Sequence, residues 1–407
     1  METNQSHGNR VIRKLLSVAI SLRIINDTGV QIFFPFLPVL AAGVGVSVAV
    51  MGQLLAIRTL TGLVAPLLGV LAERRGYRQV MHGGLLLLGS GLIIFATSTQ
   101  LAIVILSLIL MGIGINAFVP NLFAYTSQQI PPEIRSRGLG SLELAWATAS
   151  IVGMYLIGQG FLRLGWRETV IILGSITIVA SFLIRTLPAL QERANRGERK
   201  QFNLRRSLST SFDWGPHRRS AWAMHLATFL TSFAAIHLFG AYGEWLFSDF
   251  EFNAGQIGTV ALALDISDFI FNSLISIFGD RIGPLRSLQF GTPIAATLAF
   301  SLIWLDNALV TLIVGLIFAR FFTEFVYVNA LIVASGQLPE YRARMMTLNS
   351  AFSTLGIAVA NISGPAAFLA FGPVGLALPT MIGYGVATIL FVQVIREHVP
   401  APGVVHG

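Results

Sequence analysis

Gly69-Val70-Leu71-Ala72-Glu73-Arg74-Arg75-Gly76-Tyr77-Arg78 returns, 207 residues further on, as Ser276-Ile277-Phe278-Gly279-Asp280-Arg281-Ile282-Gly283-Pro284-Leu285-Arg286, with only the last Arg displaced by one position. A second pair keeps the register: Pro132-Glu133-Ile134-Arg135-Ser136-Arg137 matches Pro339-Glu340-Tyr341-Arg342-Ala343-Arg344 at the same offset. Two matches at one offset in a chain of 407 residues indicate two homologous halves. Apolar sequence fills nearly all the space between the copies, so the repeated unit reads as a bundle of membrane helices.

Composition supports that reading. Charged residues make up 11% of the chain, apolar ones 54%, and the mean hydropathy is +0.73. A soluble domain carries about 25% charge. The bilayer instead demands apolar runs of about 20 residues. Twelve such runs are legible, at 15–42, 47–70, 80–98, 100–126, 138–162, 167–186, 220–247, 254–279, 286–304, 307–333, 345–371 and 373–395. The first is no cleavable signal peptide, being too long and carrying Arg23 and Asp27. The expected fold is an all-α membrane protein of twelve transmembrane helices in two pseudo-symmetric six-helix bundles, 1–187 and 220–407, joined by a cytoplasmic linker at 188–219. Cysteine is absent, so neither disulfides nor thiolate-held metals contribute.

The basic residues set the expected orientation. With the amino terminus in the cytoplasm, 22 of the 27 Lys and Arg fall on cytoplasmic segments. Only Arg163 and Arg167 fall outside, and Arg23, Arg58 and Arg320 lie within spans. The positive-inside rule therefore places both termini in the cytoplasm, in a multi-pass protein of the cytoplasmic (inner) membrane. The net charge of +8 is a topology signal and leaves no basic patch for nucleic acid. The polar linker, rich in Arg and Ser, reads as a flexible connection that can lie on the anionic leaflet.

The repeated loop, Gly-x-x-x-acid-Arg-x-Gly-x-Arg between spans two and three and again between eight and nine, resembles the hallmark of the major facilitator superfamily. Glu73 stands where the pattern usually has Asp, and Ser276 replaces the first Gly of the second copy. The resemblance extends over nearly the whole chain through the twelve spans, the repeat and the linker. It implies a conformational latch formed by Gly69, Glu73, Arg74, Gly76 and Arg78 and, in the second copy, Asp280, Arg281 and Gly283. Gly76 and Gly283 permit a tight turn. An acid at a helix carboxy terminus is unfavourable unless a partner compensates it. In the family that partner is another helix's amino terminus with nearby Arg side chains, an arrangement that holds one state and releases in the other.

Charges stranded at membrane depth cost several kcal/mol when unpaired and are functional candidates by default. They are Arg23, Asp27, Arg58, Glu143, Asp265, Asp268, Arg320 and Glu324. At about 1.5 Å per residue, Asp27 and Arg58 fall near the midplane. Arg23/Asp27 and Arg320/Glu324 are both i,i+4 pairs, each on one helix face. Gln31 extends the first stripe and Tyr327 the second. The resemblance places the first and tenth spans along the central cavity, which makes both stripes substrate-path candidates; a self-neutralised structural pair is the alternative. Three positive and five negative charges cannot all pair, and an unpaired carboxyl in a low dielectric favours its protonated form. The proton-coupling candidates are accordingly Asp27, Glu143, Asp265, Asp268 and Glu324. Arg58 and Asp265 are equivalent positions in the two halves, so a salt bridge between them is open. Asn26, Asn116, Asn121, His237, Asn349 and Asn361 add hydrogen-bonding capacity, as cavity residues or as interhelical glue. Pro35, Pro38, Pro120 and the Gly364-Pro365 step are expected to kink their helices.

The loop and the acid in span one are most similar to the drug/proton antiporter branch. Two positions depart from it: Leu108 stands where that branch has an Arg, and Gly153-Met154 where it has Gly-Pro. The expected activity is secondary active transport of a small organic, amphipathic solute by alternating access, with proton-coupled efflux. Two alternatives remain: proton-coupled uptake of an organic anion, drawing on Arg23, Arg58 and Arg320, and a membrane sensor that has kept the fold without turnover. No phosphate-binding loop, nucleophile motif or metal cluster is present in the sequence to support an ATP-driven pump or an enzyme. The expected partners are the solute, protons and the lipid bilayer, without cofactor or nucleic acid, for a chain acting as a monomer.

Overall fold

The computed structural model describes residues 2–131, 134–188, 218–278, 283–305, 308–338 and 342–396. Asp280, Arg281 and most of the linker lie outside the described residues, as does the side chain of Asp268. Every regular element among the described residues is helical. The first half comprises α1 (Glu2–Gln31), α2 (Leu37–Val44), α3 (Val48–Leu60), α4 (Ala65–Arg75), α5 (Tyr77–Thr97), α6 (Leu101–Gln129), α7 (Arg135–Thr148), α8 (Met154–Arg163) and α9 (Trp166–Ser181). The second comprises α10 (Arg218–Phe239), α11 (Tyr242–Asp249), α12 (Ala254–Phe278), α13 (Pro284–Leu305), α14 (Leu309–Gly336), α15 (Arg342–Phe371) and α16 (Pro373–Gln393).

Ten helical stretches among the described residues are long and apolar enough to cross a membrane. The other two expected spans are helical as well: the α1–α2 stretch, which is interrupted and charged, and α12, whose described side chains end at Ser267. Large apolar side chains stand exposed along these helices, among them Val179, Val310 and Phe371 at 70–72%. Such a surface suits lipid and not water. The chain is a multi-pass membrane protein.

Local chemistry explains the breaks. The first span ends its helix at Gln31, turns over residues 32–36, and resumes at Leu37 with Pro38 in the first turn. Proline fits a helix start because it has no N–H to leave unsatisfied, whereas Pro35 cannot donate to a continuing helix. The fifth span passes from α7 to α8 through a π turn at Ala149–Gly153. At both repeated loops the glycine takes a positive φ, +97° at Gly76 and +85° at Gly283. A residue with a Cβ is strained there, which explains why both copies keep glycine.

By packing, the chain forms two units. The first contains Met1–Gly197 with Phe239–Ile266 and Asn361–Gly372. In it, α5 lies between α6 and α9. Small residues allow that approach, since a Cβ on Gly84 would meet the Gly114 carbonyl and one on Gly89 the Gly174 carbonyl. At the Gly76 end, Arg78 Nη2 donates to the Arg185 carbonyl (2.7 Å) and Tyr125 donates to that of Pro188 (2.6 Å). At the opposite end Arg167 donates to the carbonyls of Ala96 (2.8 Å) and Gly43 (3.1 Å). There the second-half segments of this unit pack against first-half helices. Gly243 sits on the Pro35 carbonyl, Gly52 on that of Asn361, and Gly158 faces Gly258. The second unit contains Glu198–Leu238, Ser267–Ala360 and Pro373–Gly407. Its α13 packs against α14 and α16 around Met224, Leu288, Val326, Tyr384 and Phe391. Polar ties include Thr388 to Thr292 (2.8 Å) and Tyr384 to Thr323 (3.1 Å).

Candidate functional site

The polar stripe of α1 forms a connected cluster in the first unit. Arg23, Asn26, Asp27, Thr28 and Gln31 are all buried, Asp27 completely. Their spacing along 3.6 residues per turn puts Arg23, Asn26, Asp27 and Gln31 on one side of the helix, with Thr28 at its flank. Arg23 donates from Nε to Asp27 Oδ2, and Asn26 donates from Nδ2 to Oδ1 (2.8 Å). Both carboxylate oxygens are thus engaged by residues of the same helix. The Arg23 guanidinium also lies 5.1 Å from the ring centroid of Phe123 on α6, at a cation–π distance. Even so, Arg23 Nη1 and Asn26 Oδ1 have no hydrogen-bond partner among the described residues.

One turn along, the stripe meets the fifth span. Gln31 Oε1 accepts from Ser150 Oγ, and its Nε2 points to the Trp146 carbonyl at 3.5 Å. Gly153, at the end of the π turn, leaves room for Thr28. Glu143 lies on the same span and is exposed. A π turn is an irregularity found often at functional sites, and this one stands where the antiporter branch has Gly-Pro.

Arg58 is only 5% exposed and lies at the turn after α1. The turn diverts the Phe34 N–H onto the Gln31 carbonyl (3.0 Å). The Val30 carbonyl, which Phe34 would serve in a continuous helix, accepts instead from Arg58 Nη1 at 3.3 Å. The guanidinium lies 4.6 Å from the Phe33 ring centroid. A cation at a helix carboxy terminus complements the helix dipole. Arg58 therefore caps the broken end of α1, and no ion pair joins it to Asp265 among the described residues. Asp265 is half-buried.

The remaining candidates divide by environment. Asn116 and Asn121 donate to carbonyls of their own helix, Gly112 and Ala117, at 2.8 and 2.9 Å. Asn361 donates to Thr59 (3.1 Å), and Asn349 accepts from Thr228 (2.6 Å). In the second unit Arg320 and Glu324 form an ion pair at 3.0 Å, with side chains 20% and 24% exposed, and Tyr327 on the same face is exposed. His237 is fully buried, with its ring against Phe233 at 5.0 Å. Of the residues expected to form a latch, Glu73, Arg74 and Gly76 are exposed, while Arg78 donates to the Arg185 carbonyl at the end of the sixth span.

Four contributors escaped the sequence reading. Phe123 and Ser150 bear no charge, and nothing in a linear pattern marks them as neighbours of Arg23 and Gln31. His225 stacks on Phe352 at 5.4 Å between helices ten and fifteen of this numbering. Glu244 in α11 is 7% exposed with Oε2 unpartnered; its signal was an acid inside the seventh span.

The Major Facilitator Superfamily model matches residues 19–360 and 224–405. Multidrug resistance protein 2 of Bacillus subtilis (strain 168) is 24% identical over 356 residues, covering 83% of this chain and 84% of that one. The crystal structure of the human organic anion transporter MFSD10 (TETRAN) superposes with a TM-score of 0.65 at 20% identity, over 94% of this chain and 99% of that one. The nucleoside transporter NupG gives 0.71 at 14% identity, over 93% and 97%. At these identities the two structures establish a shared fold.

Proposed function

Because the chain belongs to the major facilitator superfamily of membrane transporters, we propose that it moves a small organic, amphipathic solute by proton-coupled efflux across the cytoplasmic membrane, with both termini inside. The observation that carries this reading is the fully buried Asp27, held by Arg23 and Asn26 beside the π turn of the fifth span. A carboxylate at membrane depth is retained at a cost of several kcal/mol, and proton relays are a principal use of such groups. Protonation of Asp27 removes the charge that holds Arg23. With the pair open, Arg23 is no longer oriented toward the solute, so proton and solute occupy the site in turn, and the ion pair re-forms when the proton leaves. The halves 1–187 and 220–407 rock about this level, with the 188–219 linker accommodating the motion and the repeated loops acting as latches. Glu143, Asp265, Asp268 and Glu324 are further positions for the proton, with Arg320 and Tyr327 on the second half of the path. The transporter works as a monomer.

The similarity of the chain to a multidrug resistance protein favours efflux of an amphipathic solute. Uptake of an organic anion would use Arg23 and Arg58, but the Val30 carbonyl already engages Arg58, which weighs against that reading. The test is solute flux in proteoliposomes under an imposed pH gradient. Efflux predicts solute movement opposite to protons, abolished by Asp27→Asn. Co-movement in one direction would establish the symport reading, and ligand binding without flux the sensor reading.

A further inference from the structure

Both ends of α9 carry an arginine, and the structure treats the two differently. At the Trp166 end, Arg167 spends its guanidinium on the carbonyls of Ala96 and Gly43 and rests 4.7 Å from the Trp166 ring centroid. At the other end α9 continues through a 3-10 turn, Phe182–Thr186, and there Arg185 is exposed. Its guanidinium lies 4.8 Å from the Phe182 ring centroid, and the His82 ring of α5 meets the same phenyl group at 5.2 Å. The Arg185 carbonyl accepts from Arg78, which brings a second cation to this end. Among the described residues the Arg185 side chain makes no hydrogen bond, and neither Arg185, Arg78 nor the loop acid Glu73 takes part in an ion pair. An apolar track runs up to these cations. Ile172, Ile176, Val179 and Leu183 are 42–70% exposed, and their i, i+4, i+7, i+11 spacing places them along one face. At about 1.5 Å per residue the track is about 16 Å long. That is about half of the ~30 Å hydrocarbon core, the depth of the acyl chains of one leaflet.

We propose that this end of α9 seats an anionic phospholipid, with an acyl chain along Ile172, Ile176, Val179 and Leu183 and the phosphate at Arg185 and Arg78. Guanidinium groups make charge-assisted hydrogen bonds to phosphate oxygens, and basic positions at the membrane surface attract anionic headgroups. A zwitterionic lipid offers the same chains, but its headgroup amine is repelled by the same two cations. Charge also decides against the polypeptide as occupant. The stretch 188–217, which follows this end in sequence, carries six Lys or Arg against three acids, so its net sign matches that of the site. Arg78 belongs to the repeated loop, so a lipid bound here ties that loop to the end of the sixth span. The site does not depend on the transport reading, since it concerns the solvent of the helices and not their cargo.

Three probes test this on the purified full chain in one detergent at one low ionic strength: dioleoyl phosphatidylglycerol, dioleoyl phosphatidylcholine with the same chains, and glycerol 3-phosphate without chains. Affinity is read from the concentration dependence of the thermal unfolding midpoint, because a ligand of the folded state raises it. The expected result is binding of phosphatidylglycerol at least about tenfold tighter than of phosphatidylcholine, with no response to glycerol 3-phosphate at the same concentrations. Arg185→Gln should remove about fivefold of that preference, the share of one arginine near an anionic surface. Phe182→Leu leaves the charge but takes away the ring beneath it; it should also lower the preference, and it serves as the test should the Gln variant fail to fold. Arg163→Gln removes an exposed charge at the opposite end of α9 and should leave the preference intact. Equal responses to the two lipids would overturn the proposal, leaving the track as ordinary lipid contact or a seat for a second copy. Stabilisation by glycerol 3-phosphate equal to that by phosphatidylglycerol would overturn it in favour of a soluble anion. A preference that survives both Arg185→Gln and Phe182→Leu, or that Arg163→Gln lowers as much, would overturn it by showing a response to net charge alone.

Discussion

Splitting the Arg23–Asp27 pair is the perturbation with the most to reveal. The side chains are 7% and 0% exposed, so neither charge has water to fall back on. Removing one member of a buried pair leaves the other uncompensated, at about 3–5 kcal/mol. That is a large part of a total stability of about 5–15 kcal/mol. Asp27→Leu should fall at the upper end, because Arg23 Nη1 already lacks a partner and Nε would lose its only one. Arg23→Met should cost less, since Asn26 still donates to Asp27 Oδ1. Replacing both at once removes the problem: apolar substitutes of similar volume for a buried pair are neutral or stabilising by about 1–4 kcal/mol. The double variant should therefore be more stable than either single one, with a coupling energy of at least about 2 kcal/mol. The assay is thermal unfolding of the four proteins in one detergent at one scan rate, which fixes the rank order even where unfolding is irreversible. Singles within about 0.5 kcal/mol of the wild type, or a double variant that sums their losses, would refute the reasoning. Under the transport reading the double variant folds but no longer couples to the pH gradient.

Arg58→Met should destabilise by about 1 kcal/mol, because it strands the half-buried Val30 carbonyl, and Arg58→Lys should recover part of that loss; an unchanged unfolding midpoint for Met would contradict the capping role. Gly243→Val drives a Cβ into the Pro35 carbonyl and should open that end of the first unit. A single cysteine at Leu246, fully buried in the present state, should then react faster with a maleimide, in a chain that otherwise has no thiol; an unchanged rate would show that the seam tolerates the side chain. Glu143→Gln should leave stability within about 0.5 kcal/mol, since Glu143 is exposed; a larger loss would point to a structural bond to that residue.

The helices were legible because the bilayer imposes a length and a composition that few other contexts demand. The break in the first span was foreshadowed by Pro35 and Pro38, and the loop turns by the repeated glycines. Arg23, Asp27 and Gln31 were legible as a face because i,i+4 spacing within a helix is local information. Whatever depended on a second helix was hidden. Arg58 has the sequence pattern of a cavity cation, and its partner is a carbonyl freed by a helix break 28 residues away. Asn116 and Asn121 resemble cavity donors in sequence, yet each donates to a carbonyl of its own helix, and Asn116 also reaches Thr61. The repeat could not disclose that residues 239–266 and 361–372 pack with the first half, since symmetry in sequence says nothing about which ends meet.

The π turn at Ala149–Gly153 also sets the phase of the fifth span. One additional residue in a helical turn offsets every later side chain by about 100° from where an unbroken α-helix would aim it. Before and at the start of the turn the span presents Trp146 and Ser150 to Gln31; beyond it, Gly158 faces Gly258. The two surfaces are in phase only because of that extra residue. Deleting a single residue within 149–153 would yield a more regular helix, and one of the two contacts would point the wrong way.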